Sequence, residues 1–222
     1  MFADKLNKQL LTHFPPDLIG RDLLYPDISK RLNAVLRSQR GKARITKSQI
    51  IADNEKIRQT FDVLGWAEDD RIFINILVSP KREYMTFTNS IYRNFVFQVS
   101  MAVQHELVHR NQISRYHKAF LRRIPVTYKS SISHERIQNI EYYSEWREID
   151  AYAHDIAMEI NYFFPSLDKL WVVRHIDRHS RKLAHYRRYR DTFVGTEWSE
   201  VRKLLIKKIV RWLPLAKPPL DK

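Results

Sequence analysis

Apolar positions recur at helical spacing over most of the chain. A period near 3.6 residues predicts amphipathic helices over 4–14, 27–39 and 46–64, and longer helices over about 91–114 and 141–163. The remainder up to Leu213 predicts two or three further helices that are rich in arginine. The dominant pattern is therefore helical.

A different pattern interrupts the helices near the middle of the chain. Residues 71–79 form an isoleucine-rich run that ends before a proline, which predicts a strand, and 84–88 could pair with it. Just before this run, Thr46 and Gln49 fit a capping box, and Gly65 lies beyond the predicted end of the 46–64 helix. The sequence therefore predicts a small sheet set among helices.

Composition supports that fold class. Only four glycines occur in 222 residues, which argues against the many tight turns of a barrel or sandwich. We expect a mainly α protein with a small β-sheet (α+β), in which 1–165 form one domain and 166–222 form a basic helical extension packed on it. The chain has no cysteine, so a bound metal would need His, Asp or Glu ligands.

The string HELVH, residues 105–109, lies within the predicted 91–114 helix. Each helical residue turns the chain by about 100°, so Glu106 and His109 lie about 100° and 40° from His105. Two imidazoles one turn apart can bind a single Zn²⁺, and the glutamate between them can act as general base toward a water molecule. A chance HxxxH on a solvated helix face is the alternative, but the apolar residues before it favour a buried helix. His175 and His179 have the same spacing, and the cationic residues around them favour a solvated face there.

A third ligand is expected from the helix over 141–163. Its apolar face is distinct from a polar face on which Glu148 is the favoured ligand. Alternatively, these acidic residues only balance the basic surface. The polar face comprises Glu141, Glu145, Glu148, Tyr152, Asp155 and Glu159.

The two segments together resemble a known kind of enzyme. HELVHRNQ, followed about forty residues later by YYSEWREIDAYAHDIAMEI, is similar to zinc metallopeptidases common in bacteriophage genomes and, more loosely, to ImmA/IrrE-type metallopeptidases. The resemblance covers residues 100–160. It implies a zincin-like fold, His105, His109 and Glu148 as metal ligands, and Glu106 as catalytic base.

Other features of the resemblance leave choices open. His117, with Phe120, resembles the third histidine of SprT-like proteases and is the rival third ligand. By analogy with zincin-like folds, the strand over 71–79 would supply the edge that aligns a peptide substrate. Oxyanion stabilisation or support of the ligands would come from residues of the second motif. These are Tyr142, Tyr143, Tyr152, His154 and Asp155.

The formal net charge of +14 favours polyanionic partners. Phosphate contacts with DNA or RNA are one interpretation of the basic residues, and a solvated surface or an acidic protein partner is the other. The sequence has no membrane-spanning run, so we expect a soluble, intracellular protein, in the host cytoplasm or the virion if phage-encoded. The predicted function is a zinc peptidase acting on a protein or peptide substrate. The alternatives are a phage-type structural or nucleic-acid-binding protein that retains a zinc-site scaffold, and a zinc hydrolase with a non-peptide substrate. The candidate phosphate contacts are Arg174, Arg178, Arg181, Lys182, Arg187, Arg188 and Arg190.

Overall fold

The computed structural model describes residues 2–49, 61–68, 71–115 and 134–220, apart from the side chains of residues 2, 113–115 and 134–135. The described chain is mainly helical with small β-sheets, as the sequence predicts. It divides into two compact units, Met1–Leu107 and Val108–Lys222, and the boundary falls inside one long helix. The predicted division at residue 165 stays a prediction.

The first unit contains both strands and helices, and it ends within a long helix. Thr88 caps the long helix, because its hydroxyl accepts a hydrogen bond from the backbone N–H of Ile91. The elements are α1 (Phe2–His13), β1 (Asp22–Leu24), α2 (Tyr25–Arg37), β2 (Gly41–Lys47), β3 (Phe61–Glu68), β4 (Arg71–Val78), β5 (Tyr84–Thr86) and α3 (Asn89–Arg115).

Strand β4 is the centre of a three-stranded sheet. It pairs in parallel with β2 and antiparallel with β3, in the order β2-β4-β3. Ile72, Ile74 and Ile76 are fully buried, which explains why this strand has the strongest signal in the sequence. The β5 strand pairs with β1 in a separate two-stranded sheet, so the predicted pairing of 84–88 with the 71–79 strand is wrong.

The predicted helix over 46–64 is wrong at both of its ends, whereas Gln49 is helical. Its first two residues complete β2, where the Thr46 hydroxyl bonds Asn75 rather than capping a helix. Its last residues begin β3, which pairs with β4 over eight residues. Cross-strand pairing and the burial of Phe61 determine that this segment is a strand rather than a helix. Both depend on partners that are distant in the sequence. Residues 50–60 lie outside the described residues.

Aromatic side chains form much of the first unit's core. Phe95 of α3 contacts Phe14, Phe61 and Phe87, with ring centroids between 5.2 and 5.5 Å apart. All four rings are buried. This packing fixes the middle of α3 against the strands and the N-terminal segment.

The second unit is helical and is built around α5. This helix is buried on nearly all sides, including its acidic residues. The single helix predicted over 141–163 is two helices, because Glu145 adopts an extended backbone between them. None of the described helices is long and apolar enough to cross a membrane. The elements after α3 are α4 (His134–Ser144), α5 (Trp146–Phe163), α6 (Lys169–Arg174), α7 (Ile176–His179), α8 (Ala184–Thr192) and α9 (Gly195–Trp212).

Candidate metal centre

Helix α3 carries both histidines of the HELVH string. The preceding residues Phe95, Val99 and Val103 are buried, so the helix is anchored by its apolar side. His105 and His109 lie one turn apart on this continuous helix, as predicted. The helix thus brings two imidazoles to the same side.

Glu148, in the first turn of α5, joins the two histidines. The potential ligand atoms of His105, His109 and Glu148 all lie within 4.8 Å of one another, and Glu148 Oε2 is 3.5 Å from His109 Nε2. The other carboxylate oxygen, Oε1, is 3.5 Å from Nε of Arg147, which orients the carboxylate. Among the described residues this His-His-Glu cluster is the single group of three such side chains that converges on one point.

The donor set fits a zinc ion. Zinc bound to nitrogen and oxygen at about 2.1 Å in a tetrahedral site places neighbouring ligand atoms about 3.4 Å apart. The 3.5 Å separation between His109 and Glu148 is close to that edge, and all three potential ligand atoms lie within 4.8 Å of one another. Two imidazoles and one carboxylate would therefore suit a divalent metal ion such as zinc.

Gln112 fixes the orientation of the His109 ring. Its amide nitrogen donates to the carbonyl oxygen of Arg147 at 3.3 Å and to Asp150 Oδ2 at 3.1 Å, so its amide oxygen faces His109 Nδ1 at 3.1 Å. Because that oxygen only accepts, Nδ1 carries the imidazole proton. In the neutral ring this leaves Nε2 as the acceptor nitrogen, and it is the one beside Glu148.

The C-terminal helix α9 extends this hydrogen-bond chain. The Lys208 ammonium and the Trp212 indole N–H both donate to Asp150 Oδ1, at 2.9 and 3.1 Å. Asp150 is therefore held on both oxygens and in turn holds Gln112. Sequence analysis missed Gln112, Asp150 and Lys208. The first two lie in the quoted motifs, whereas nothing in the sequence connects them to a lysine about sixty residues away.

Tyr142 is the hydroxyl most closely tied to the cluster. The residue is 41% exposed, and partial burial, followed by the influence of Tyr152 and Glu148, raises its pKa above the usual value. The phenol therefore keeps its proton and remains a donor. Tyr142 was one of several candidates from the sequence, and the structure places it beside the predicted ligand.

The other predicted supporting residues lie around α5. Tyr143, Tyr152 and Tyr189 form a group of edge-to-face rings with centroids 5.3 to 5.5 Å apart. His154 is fully buried, packs on Trp212 and has its Nδ1 3.4 Å from Asp155 Oδ1. The three tyrosines belong to the same group of aromatic side chains as Tyr142, whereas the position of His154 is explained by core packing.

Glu106 lies against strand β3. A Cβ atom built at Gly65 would be 3.2 Å from Glu106 Oε1 and 3.4 Å from the carbonyl oxygen of Ala102. Glycine therefore permits the strand to approach the glutamate closely. The sequence pattern assigned Gly65 to a helix end, and its actual role depends on a contact that only the folded chain creates.

His117, the rival third ligand, lies outside the described residues, so its comparison with Glu148 stays open. His175 and His179 do not join a metal-ligating group among the described residues. They contact Trp171 instead, with ring centroids 4.6 and 5.5 Å away.

Comparison of the chain with protein-family models, with curated proteins and with solved structures finds no match. The functional argument therefore depends on the geometry of the His-His-Glu cluster and its surroundings.

Proposed function

We propose that this protein is a zinc-dependent metallopeptidase with a zincin-like site, in which His105, His109 and Glu148 hold the metal and Glu106 is the general base. The observation that carries the proposal is the convergence of these three ligands within 4.8 Å, with Glu106 adjacent to one of them in the sequence. The resemblance to phage-type metallopeptidases points to the same residues.

The chain's own residues have distinct tasks in this proposal. Zinc, when bound, supplies a water molecule with a pKa near 7 and polarises the scissile carbonyl. Glu106 accepts the proton of the attacking water and passes it to the leaving amine. It is 6% exposed, so its carboxylate is largely shielded from bulk solvent.

Tyr142 is suited to stabilise the oxyanion. Its phenol remains protonated and is close enough to Glu148 for each to influence the other's charge, so it could act as a donor to the oxyanion. The Gln112–Asp150–Lys208 chain keeps His109 in the tautomer that binds metal.

A peptide substrate would align with β3 rather than with the strand over 71–79 that the sequence suggested. The described sheet order puts β4 in the centre and β3 at an edge, and Gly65 of β3 contacts Glu106. An extended peptide added to that edge would use main-chain hydrogen bonds, which suit an unfolded protein or a loop of unrelated sequence.

Metal content and hydrolysis of an unfolded protein substrate test this proposal together. We expect stoichiometric zinc in the wild-type protein, in Glu106→Gln and in His117→Ala, and loss of zinc in Glu148→Gln. Activity should fall by about 10²- to 10⁴-fold in Glu106→Gln, because removing a general base costs that much. Zinc retained in Glu148→Gln but lost in His117→Ala would show that the third ligand is misassigned. A Glu106→Gln variant that hydrolyses at the wild-type rate would remove Glu106 as the base.

A non-catalytic role is the second candidate, namely a structural or nucleic-acid-binding protein that retains the zinc scaffold. Exposed, unpaired arginines on the second unit favour it. Metal retention with no hydrolysis of peptides, combined with nucleic-acid binding, would support this candidate over the first. A zinc hydrolase with another substrate would instead keep its dependence on Glu106.

A further inference from the structure

The surface around α6 and α7 combines an exposed aromatic ring with cations. We propose that it binds single-stranded nucleic acid. The surface, which we call the Trp171 patch, consists of Trp171, Arg174, His175, Arg178, Arg181 and Lys182.

Trp171 presents a flat ring at the surface. It is 42% exposed although it is a large aromatic residue. Its ring packs against the ring of His175, whose centroid is 4.6 Å away at an interplanar angle of 34°. His175 is itself fixed through its Nδ1, which is 3.0 Å from the carbonyl oxygen of Trp171. The indole is therefore preorganised for stacking, so little conformational entropy is lost when a base packs on it.

The three arginines of the patch are available to a ligand. Arg174, Arg178 and Arg181 are exposed, and none of their guanidinium groups pairs with a carboxylate among the described residues. Arg190 and Arg202, close by in the sequence, differ in this respect, since they bond Asp191 and Asp177. The three unpaired arginines thus carry uncompensated positive charge.

The nearby carboxylates do not cancel that charge. The sequence from 164 to 183 has two, Asp168 and Asp177. Asp168 accepts hydrogen bonds from the backbone N–H groups of Leu170 and Trp171, and Asp177 is engaged by Arg202 and by the hydroxyl of Tyr186. Both acids therefore have partners of their own.

Burial of acids in α5 and at the residue that precedes it makes the surface of the second unit more basic than its composition suggests. Several carboxylates of the sequence are internal, while the arginines of the patch are on the surface. The buried acids are Glu145, Glu148, Asp150, Asp155 and Glu159.

An exposed ring, with three uncompensated guanidinium groups in the next ten residues of the sequence, matches the bases and the phosphates of a single strand. Bases stack on aromatic side chains, and phosphates pair with arginine. A duplex keeps its bases stacked inside, so it can use the arginines but not Trp171. A purely acidic peptide such as polyglutamate likewise matches the charges but has no flat ring to stack on Trp171. The ring is therefore what favours a single strand.

Fluorescence anisotropy with a labelled single-stranded oligonucleotide of about 16 nucleotides tests the proposal on the full chain. We expect Trp171→Ala to weaken binding by about tenfold, which corresponds to about 1.4 kcal/mol, and Trp171→Phe to restore most of it. Inorganic polyphosphate, which has charge but no bases, should bind both variants and the wild type equally. Duplex DNA of the same sequence should bind more weakly than the single strand.

The arginines are tested separately, through the salt dependence of binding. Replacing Arg174, Arg178 and Arg181 together by glutamine should reduce the slope of log affinity against log salt by about 2, because each phosphate contact contributes about 0.7 for a single strand. A matched control removes the same charge elsewhere by replacing Lys5, Lys8 and Arg21, all exposed on the first unit, by glutamine. It should change the slope much less.

Several results would overturn the proposal. One is an unchanged affinity in Trp171→Ala, and another is equal loss of slope in the control triple variant. Equal binding of duplex and single strand would also contradict it. Polyglutamate that competes as well as the oligonucleotide would assign the patch to an acidic protein partner.

Discussion

Two histidine pairs in this chain have the same spacing of four residues and end in different surroundings. His105 and His109 lie on the continuous helix α3, so the spacing brings their rings to one side. His175 lies between α6 and α7, with φ −110° and ψ 27°, so it and His179 do not share an unbroken helix. The same spacing has a geometric consequence only where the helix is continuous.

The surroundings differ as much as the backbone does. The first pair meets the carboxylate of Glu148, and His109 is oriented by Gln112. The second pair meets Trp171, and the neighbouring cations oppose a divalent ion. A metal site therefore needs a carboxylate and a hydrogen-bond acceptor supplied by other positions, in addition to two histidines in register.

The largest expected effect separates the two pairs directly. His109→Ala should abolish zinc binding, because it removes a ligand of the cluster, whereas His179→Ala should leave the zinc content unchanged. Elemental analysis of both purified variants measures this. Equal zinc content in the two variants would mean that the pairs are equivalent and that our distinction between them fails.

The hydrogen-bond chain behind His109 gives the next largest effect. Gln112→Met removes the acceptor for Nδ1 and should weaken zinc affinity by about 10- to 100-fold in a chelator competition assay. Gln104→Met is the matched control, since Gln104 is also buried on α3 but donates to Ser100. Similar losses of zinc affinity in both variants would indicate general damage to the helix rather than an effect of the hydrogen-bond chain behind His109.

A smaller effect is expected at Gly65, where strand β3 approaches Glu106. Gly65→Ala adds a methyl group 3.2 Å from the carboxylate oxygen, so the base must shift by a few tenths of an ångström. We expect kcat to fall by several-fold, about tenfold at most, with zinc affinity unchanged. A fall in zinc affinity of the same size would contradict the idea that Gly65 affects only the position of Glu106.

The smallest effect concerns His185, a histidine outside both pairs. Burial alone would lower its pKa, but Glu159, with Oε1 2.9 Å from Nδ1, and Asp155 raise the pKa above the ordinary 6.5. The native state therefore retains a proton that the unfolded state loses. Its stabilisation is fully present below pH 6.5 and is lost as the pH rises through the raised pKa.

Urea unfolding of wild type and His185→Gln at several pH values measures this contribution. As the pH rises above 6.5, the wild-type free energy of unfolding should fall more steeply than that of the variant. Parallel curves would show that the pair does not contribute to the pH dependence of stability.

Local patterns in the sequence were sufficient to predict some helices and strands and insufficient to predict others. The helix that carries HELVH and the strand at β4 are strongly periodic or strongly apolar, and both are confirmed within one or two residues. Residues 61–64 were predicted to end a helix, but they begin strand β3, because pairing with β4 outweighs the local preference.

The same distinction holds for the candidate site. The convergence of His105, His109 and Glu148 follows from helix spacing and from the second motif, and the structure brings these residues together. Contacts between distant residues could not be predicted. Lys208 reaches Asp150 from the end of the chain, and the fit of Gly65 against Glu106 depends on the packing of a strand on α3.

Anomalous diffraction at the zinc edge, on crystals of the protein purified with zinc, tests the central claim most directly. We predict one strong peak about 2.0 to 2.2 Å from an imidazole nitrogen of His105, from Nε2 of His109 and from a carboxylate oxygen of Glu148. A peak beside His175 and His179, or no peak near the HELVH helix, would contradict the account.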